Sequence, residues 1–150
     1  MIRDDVKAAQ IAAMKAGDKP TVNATRLIQA AIKNRDIELR TASTTPDDDL
    51  TVTEVLQKMI KQRRESIELY RKGNREELAA AEESEVAVIE RFLPLQMSEE
   101  DATLAIDAIA TEIGATSVKD MGRVMAALKE RHAGQMDMSK ASALVKARLG

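Results

Sequence analysis

Few residues of this chain are of a type that does chemistry. His132 is the only imidazole among 150 residues, and the chain has no cysteine and no tryptophan. A lone histidine beside a helix end more often caps or faces solvent than catalyses, and a zinc site would need three carboxylates beside it. The helical spacing of Glu82, Glu85 and Glu90 fits a solvated acidic face as well as a cation site. We therefore expect no catalytic residue, no metal site and no cofactor.

A charged cluster falls where helical periodicity predicts a core. Arg63 lies in the middle of an apolar stripe, and Arg35 and Glu38 lie on the apolar side of the preceding helix. A guanidinium facing a core is costly unless a carboxylate pairs with it, so we expect Glu38 to reach Arg63, with Arg35 sharing the interaction. The cluster could be a polar functional site or a register-setting salt bridge. With no nucleophile on these stripes, the salt bridge is favoured.

Basic residues near the C-terminus could bind phosphate. Residues 117–150 carry seven Lys and Arg against three Asp and Glu, whereas residues 74–116 carry two against eleven. On one face these bases could hold a phosphate backbone, and scattered they would only keep the surface solvated. No aromatic lies among them to stack a base, which favours contact with RNA shape and phosphate. The candidates are Lys119, Arg123, Lys129, Arg131, Lys140 and Lys146.

The composition predicts the elements that must carry these residues. The chain is 44% hydrophobic but only 1% aromatic, so its cores must be aliphatic and methionine-rich, which suits packed helices. We predict an all-α protein with a four-helix domain over residues 1–94 and a three-helix domain over residues 95–150. The polar segment TASTTPDDD predicts a mobile loop between the second and third helices.

Local signals predict the helix ends. Glycine at the end of a helical pattern favours a stop, and a Ser, Thr or Asn with an acid three residues later favours a start. These signals end helices at Gly17 and Pro94 and begin them at Thr51, Asn74 and Ser98. The sixth helix has a predicted buried stripe in which Gly122 lets another helix approach. This stripe consists of Val118, Met121, Gly122, Met125 and Leu128.

The N-terminus and the hydropathy predict a location. MIRDDVKAAQ has acids where a signal peptide needs an apolar run, and no apolar stretch approaches the roughly 20 residues that span a bilayer. Together with the lack of cysteine, this predicts a soluble cytoplasmic protein without a membrane partner.

Several strings together resemble the YqeY family of small bacterial proteins, over nearly the whole chain. They are RLIQAAIKNRDIELR at 26–40, QRRESI at 62–67, FLPLQ at 92–96, KDMGRVM at 119–125 and the G-x-x-D that begins at Gly134. The resemblance implies two helical domains. It also implies that the C-terminal domain is similar to the tail domain of the B subunit of the glutamine-dependent aspartyl/glutamyl-tRNA amidotransferase, which serves tRNA recognition.

The resemblance thus implies a non-catalytic, tRNA-associated accessory protein that binds tRNA through the six basic candidates. One alternative is a helical module that docks on an amidotransferase or aminoacyl-tRNA synthetase assembly. Another is a carbon–nitrogen ligase activity with glutamine as amide donor, present only in a complex. The residues themselves offer neither the activated nucleophile nor the oxyanion cradle that an amidase needs.

Overall fold

A computed structural model describes residues 1–43 and 46–150, and every regular element in those ranges is helical. The prediction of an all-α protein is therefore confirmed. Contacts divide the chain into two compact units, Met1–Leu93 and Pro94–Gly150, which we call the N-terminal unit and the C-terminal unit. None of the helices in the described ranges is long and apolar enough to cross a membrane.

The N-terminal unit contains four helices. They are α1 (Ile2–Ala16), α2 (Lys19–Leu39), α3 (Asp48–Lys72) and α4 (Glu76–Glu90). Gly17 ends α1 as predicted, with a φ of 72° in the left-handed region that glycine adopts without strain. Asp18 begins α2, because its carboxylate accepts hydrogen bonds from the backbone N–H and the hydroxyl of Thr21.

The N-terminal core is aliphatic and receives side chains from all four helices. The fully buried members include Val6 of α1, Ile28 of α2, and Val52 and Leu56 of α3, with Ile89 of α4 against them. Each such side chain contributes roughly 1.5–3 kcal/mol of transfer free energy. A second, smaller cluster between α3 and α4 consists of Ile67, Ala79 and Val86. Helix packing rather than propensity therefore holds this unit together.

The predicted start of α3 at Thr51 is wrong. The helix begins at Asp48, and the carboxylate of Asp47 accepts a hydrogen bond of 2.9 Å from the backbone N–H of Leu50. A charged acceptor caps a helix at least as well as a threonine hydroxyl, so the helix begins after Asp47. Thr51 is therefore buried inside the helix. Residues 44–45 of the predicted mobile loop lie outside the described residues.

Both predicted ends of α4 are also wrong. Asn74 takes a left-handed φ of 59°, and the residue before the helix is Arg75, whose side chain makes no capping hydrogen bond. The helix ends at Glu90 instead of continuing to Pro94. Residues 91–93 already form turns, as the restriction that proline places on the residue before it favours.

The C-terminal unit has three helices and a short 3₁₀ turn. They are α5 (Glu99–Ile113), the 3₁₀ turn (Val118–Asp120), α6 (Met121–His132) and α7 (Met138–Leu149). The predicted start of α5 is confirmed, because the Ser98 hydroxyl accepts a hydrogen bond of 3.1 Å from the backbone N–H of Asp101. The core again consists of aliphatic and methionine side chains. Its fully buried members include Ile106, Ile109, Val124, Leu128 and Val145.

The predicted buried stripe of α6 is partly wrong. Leu128 is fully buried as expected, but Val124 occupies the other core position, and Val118 is 45% exposed. Gly122 is exposed, and a Cβ placed on it would meet nothing within 4 Å, so it allows no close approach of a helix of this chain. The 3₁₀ turn has three residues per turn, which shifts the angular position of Val118 from that in a continuous α-helix.

Arg3 joins the ends of three helices. Its guanidinium donates hydrogen bonds of 2.6 and 3.0 Å to Asp36 of α2 and two more, of 3.3 and 2.8 Å, to Asp48 of α3. Beside it, the backbone N–H of Ile2 donates to Asp49 over 2.9 Å. The hydrogen bonds from Arg3 hold the pKa of Asp36 below its ordinary value. This clasp fastens the start of α1 to the end of α2 and the start of α3.

We expect Asp36→Asn to lower the free energy of unfolding by about 1 kcal/mol at neutral pH, because this partly exposed pair is screened by solvent. The pKa of Asp36 is lower in the folded chain than its value of about 4 in the unfolded chain. Its full contribution to the free energy of unfolding is therefore present above about pH 4. It is lost as the pH falls through the folded-state pKa. Urea unfolding of wild type and variant should therefore give a difference that narrows below about pH 4. A difference that stays constant in acid, or that matches exposed Glu65→Gln, would contradict the clasp.

Candidate nucleic-acid interface

The six basic candidates lie on three neighbouring elements of the C-terminal unit, and all are exposed. Lys119 is in the 3₁₀ turn; Arg123, Lys129 and Arg131 are on α6; and Lys140 and Lys146 are on α7. The unit brings these elements together, because α7 packs against both α6 and the 3₁₀ turn. Candidates from separate stretches of sequence are thus gathered at the surface of one small helical unit.

The two arginines among the candidates are already paired. Arg131 makes a bidentate ion pair with Glu112 of α5, at 2.6 and 2.8 Å. The Arg131 guanidinium thereby holds the pKa of Glu112 below its ordinary value. Arg123 donates to Asp120 over 2.7 Å. The pKa of Asp120 is also lowered, first by the backbone N–H of Thr116 and then by Arg123.

The four lysines differ from the arginines. Among the described residues, none of Lys119, Lys129, Lys140 and Lys146 lies within ion-pair distance of a carboxylate. A phosphate group could therefore approach their ammonium groups without first displacing a carboxylate. The sequence prediction does not distinguish among the six bases. The structure shows that the arginines are paired with carboxylates and that the lysines, within the described residues, are not.

Arg123 is held by Asp120 of the 3₁₀ turn, and the acids of α5 explain why Arg131 and Arg148 are occupied. This helix carries five Asp and Glu and no Lys or Arg. Two of its carboxylates hold arginines of the neighbouring helices, since Asp107 pairs with Arg148 of α7 at 2.6 Å and Glu112 with Arg131 of α6. The positive charge that stays available is therefore on the lysines of the 3₁₀ turn, α6 and α7.

The lysines do not form a single straight row. Lys140 and Lys146 are six residues apart, which places them about 120° from each other around α7. Lys119 and Arg123 are one helical turn apart, with exposed Gly122 between them. The bare backbone at Gly122 leaves open space beside two cations. This arrangement suits a ligand that carries several negative charges around a curved surface better than a single small anion.

The predicted cluster of Arg35, Glu38 and Arg63 needs a correction. Arg63 is 15% exposed and does pair with a carboxylate, but its partner is Glu85 of α4, at 2.8 Å. Arg35 and Glu38 pair only with each other, one turn apart on α2. The reason is that α4 packs along α3 and presents Glu85 to Arg63, whereas Glu38 is at the exposed end of α2. The arrangement is a salt bridge between α3 and α4.

His132 contacts Gln135, and two of the glutamates of α4 are held in ion pairs. The imidazole Nδ1 of His132 lies 2.9 Å from the side-chain oxygen of Gln135, at the end of α6. Glu85 and Glu90 of α4 are held by Arg63 and Arg64. In the part of the chain that the structure describes, no three His, Cys, Asp or Glu side chains are grouped as metal ligands would be.

Gln96 fastens the start of the C-terminal unit to the turn between α6 and α7. Its side-chain amide donates hydrogen bonds of 2.9 Å to the carbonyl of Pro94 and 2.7 Å to the carbonyl of Gly134. The backbone N–H of Met97 donates to the carbonyl of Gln135 over 2.8 Å. Gly134 has a φ of 78°, which favours glycine there. The FLPLQ and G-x-x-D strings thus meet in one structural feature, which sequence reasoning missed.

Comparisons with known proteins identify a family and relatives of this chain. A family model described as Yqey-like protein matches residues 2–149. A curated relative from Vanderwaltozyma polyspora, named altered inheritance of mitochondria protein 41, is 38% identical over 92 residues, or 61% of this chain and 46% of the relative. The proteins of the same name from Eremothecium gossypii and Saccharomyces cerevisiae strain S288c are 32% and 28% identical over 118 and 125 residues.

These last two matches cover 77% and 79% of this chain. The chain spans 46% to 64% of the length of the three relatives. All three relatives are mitochondrial by name. The cytoplasmic location and the bacterial origin stay predictions.

We expect Glu85→Gln to lower the free energy of unfolding by about 2 kcal/mol, because it leaves the largely buried Arg63 guanidinium without its carboxylate. Glu90→Gln on the same helix is the matched control, since the Arg64–Glu90 pair is exposed and its loss should cost under about 0.5 kcal/mol. Chemical denaturation measures both. Equal losses would contradict the structural role of the Arg63–Glu85 pair.

We expect Gln96→Ala to loosen the turn between α6 and α7, because it removes both side-chain hydrogen bonds to backbone carbonyls. The loss should be about 1 kcal/mol and should speed hydrogen exchange at the backbone N–H of Met97. Leu95→Ala is the control, since that side chain is 92% exposed. Unchanged exchange at Met97 in Gln96→Ala would mean that the amide does not hold the turn.

Proposed function

Because the chain belongs to the YqeY family, we propose that it is a non-catalytic accessory protein that binds tRNA through its C-terminal unit. The observation that carries this proposal is the division of the basic residues. Four exposed lysines have no carboxylate partner in the described part of the unit, while the arginines face the acids of the same unit. Such lysines supply the sequence-independent contacts that dominate nucleic-acid affinity.

The choice of tRNA rests on the similarity to the tail domain of the amidotransferase B subunit that the family resemblance implies. The chemistry of the surface is consistent with that choice. The C-terminal unit has no Phe, Tyr or Trp, so it lacks the array of large aromatic rings with which proteins stack unpaired bases. A folded RNA with closely spaced phosphates suits lysines that are spread around two helices and a turn. We also propose that the protein acts in the cytoplasm, where it would meet tRNA.

The test is binding of total tRNA to the full chain by mobility shift at several salt concentrations. The quadruple variant Lys119→Ala, Lys129→Ala, Lys140→Ala, Lys146→Ala should bind at least about tenfold more weakly and show a shallower dependence on salt, because each lost phosphate contact reduces the slope by roughly 0.7–0.9. The matched control is Lys7→Ala, Lys15→Ala, Lys58→Ala, Lys61→Ala, which removes the same charge from the N-terminal unit.

Equal weakening by the two quadruple variants would contradict the proposed surface, and absence of binding by the wild type would contradict the proposed function.

A finer comparison separates available bases from paired ones. Lys129→Ala should weaken tRNA binding more than Arg131→Ala, because Arg131 must leave Glu112 before it can bind a phosphate.

A further inference from the structure

The side of α2 that faces away from the core carries an apolar seam. Leu27, Ala30 and Ile37, with the polar Asn34 among them, recur at the alternating three- and four-residue spacing of one helix face, opposite the buried Ile28. All four are exposed, and Leu27 and Ile37 keep 43% and 47% of their surface open to solvent. A single exposed leucine needs no explanation, but a seam with the spacing of a helix–helix contact has the geometry of a binding face.

A row of cations runs along one edge of this seam. Arg26, Lys33 and Arg40 are each seven residues apart, so they lie on one side of the helix at intervals of about 10.5 Å. All three are exposed, and no carboxylate of the described chain lies within ion-pair distance of them. Arg40 is near Asp36, whose ion pair is made with Arg3. The row therefore has three positive charges available to a partner.

We propose that this face of α2, the row and the seam together, docks an acidic amphipathic helix of a partner protein. The apolar seam would bury against the partner's apolar stripe, and carboxylates at a seven-residue spacing would meet the three cations. The proposal concerns the N-terminal unit and stands whether or not the C-terminal unit binds tRNA.

Charge decides between this partner and the other candidates. In an antiparallel pair of two copies of this chain the cationic rows would face each other, which costs free energy. In a parallel pair only Lys33 would come near a carboxylate, that of Glu38, and Arg35 already holds it. A nucleic acid would use the cations but leave Leu27 and Ile37 with no apolar surface to bury against. Of these partners, only an acidic amphipathic helix would both bury the apolar seam and pair with the row of cations.

The test uses two labelled three-heptad peptides with the same leucine and isoleucine seam, one flanked by glutamates and the other by lysines. In fluorescence anisotropy the full chain should bind the glutamate peptide about tenfold more tightly. This preference opposes the net charge of −2, which would by itself attract the lysine peptide. Arg26→Glu, Lys33→Glu, Arg40→Glu should reverse the preference, and Leu27→Asn with Ile37→Asn should remove binding of both peptides.

The matched control is Lys7→Glu, Lys58→Glu, Lys61→Glu, which changes the net charge equally but lies away from the face, and circular dichroism of every variant checks that it folds. Retention of the preference in the control supports the proposal. Binding of neither peptide by wild type, or an equal reversal by control and test variants, would overturn it. A dimer in sedimentation that Leu27→Asn with Ile37→Asn dissolves would also overturn it, by assigning the face to a second copy.

Discussion

The scarcity of aromatic side chains is the constraint on which this structure depends. With one tyrosine and one phenylalanine in 150 residues, each core must close with aliphatic and methionine side chains that bury less area apiece. The core of a unit as short as Pro94–Gly150 is small, so it can offset few unsatisfied backbone groups at helix ends. Side chains such as Asp47, Ser98 and Asp137 accordingly accept hydrogen bonds from the exposed N–H groups of helices, and ion pairs join one helix to another.

Features decided by a few consecutive residues could be predicted from the sequence. Gly17 and Ser98 end and begin helices as expected, because a left-handed glycine and a hydroxyl cap act within one turn. The start of α3 could not be chosen reliably, since Asp47 and Thr51 are competing local signals a single turn apart. Val118 was misplaced because it lies in a 3₁₀ turn, whose rotation no α-helical projection contains. Val124 lies three residues after Met121 in the regular part of α6, so a projection that started at Met121 would have found it.

Features decided by neighbouring helices could not be predicted. Periodicity indicated that Arg63 needs a carboxylate, but the choice of Glu85 over Glu38 depends on which helix packs beside α3. The candidate interface has the same limit. Its six bases are evident in the sequence, and the pairing of Arg123 with Asp120 is local, but the pairing of Arg131 with Glu112 depends on the position of α5. Net charge alone does not show which bases are available to a ligand, because most of the acids that balance these bases are on other helices.

The same scarcity of aromatic residues has a spectroscopic consequence. Tyr70 packs against the small cluster between α3 and α4, and Phe92 packs against the main N-terminal core, while the C-terminal unit contains no Phe, Tyr or Trp. Tyrosine fluorescence and near-ultraviolet dichroism therefore report on the N-terminal unit alone, whereas far-ultraviolet dichroism reports on the helices of both. The difference between the two signals isolates the unfolding of the C-terminal unit in the intact chain, without a label.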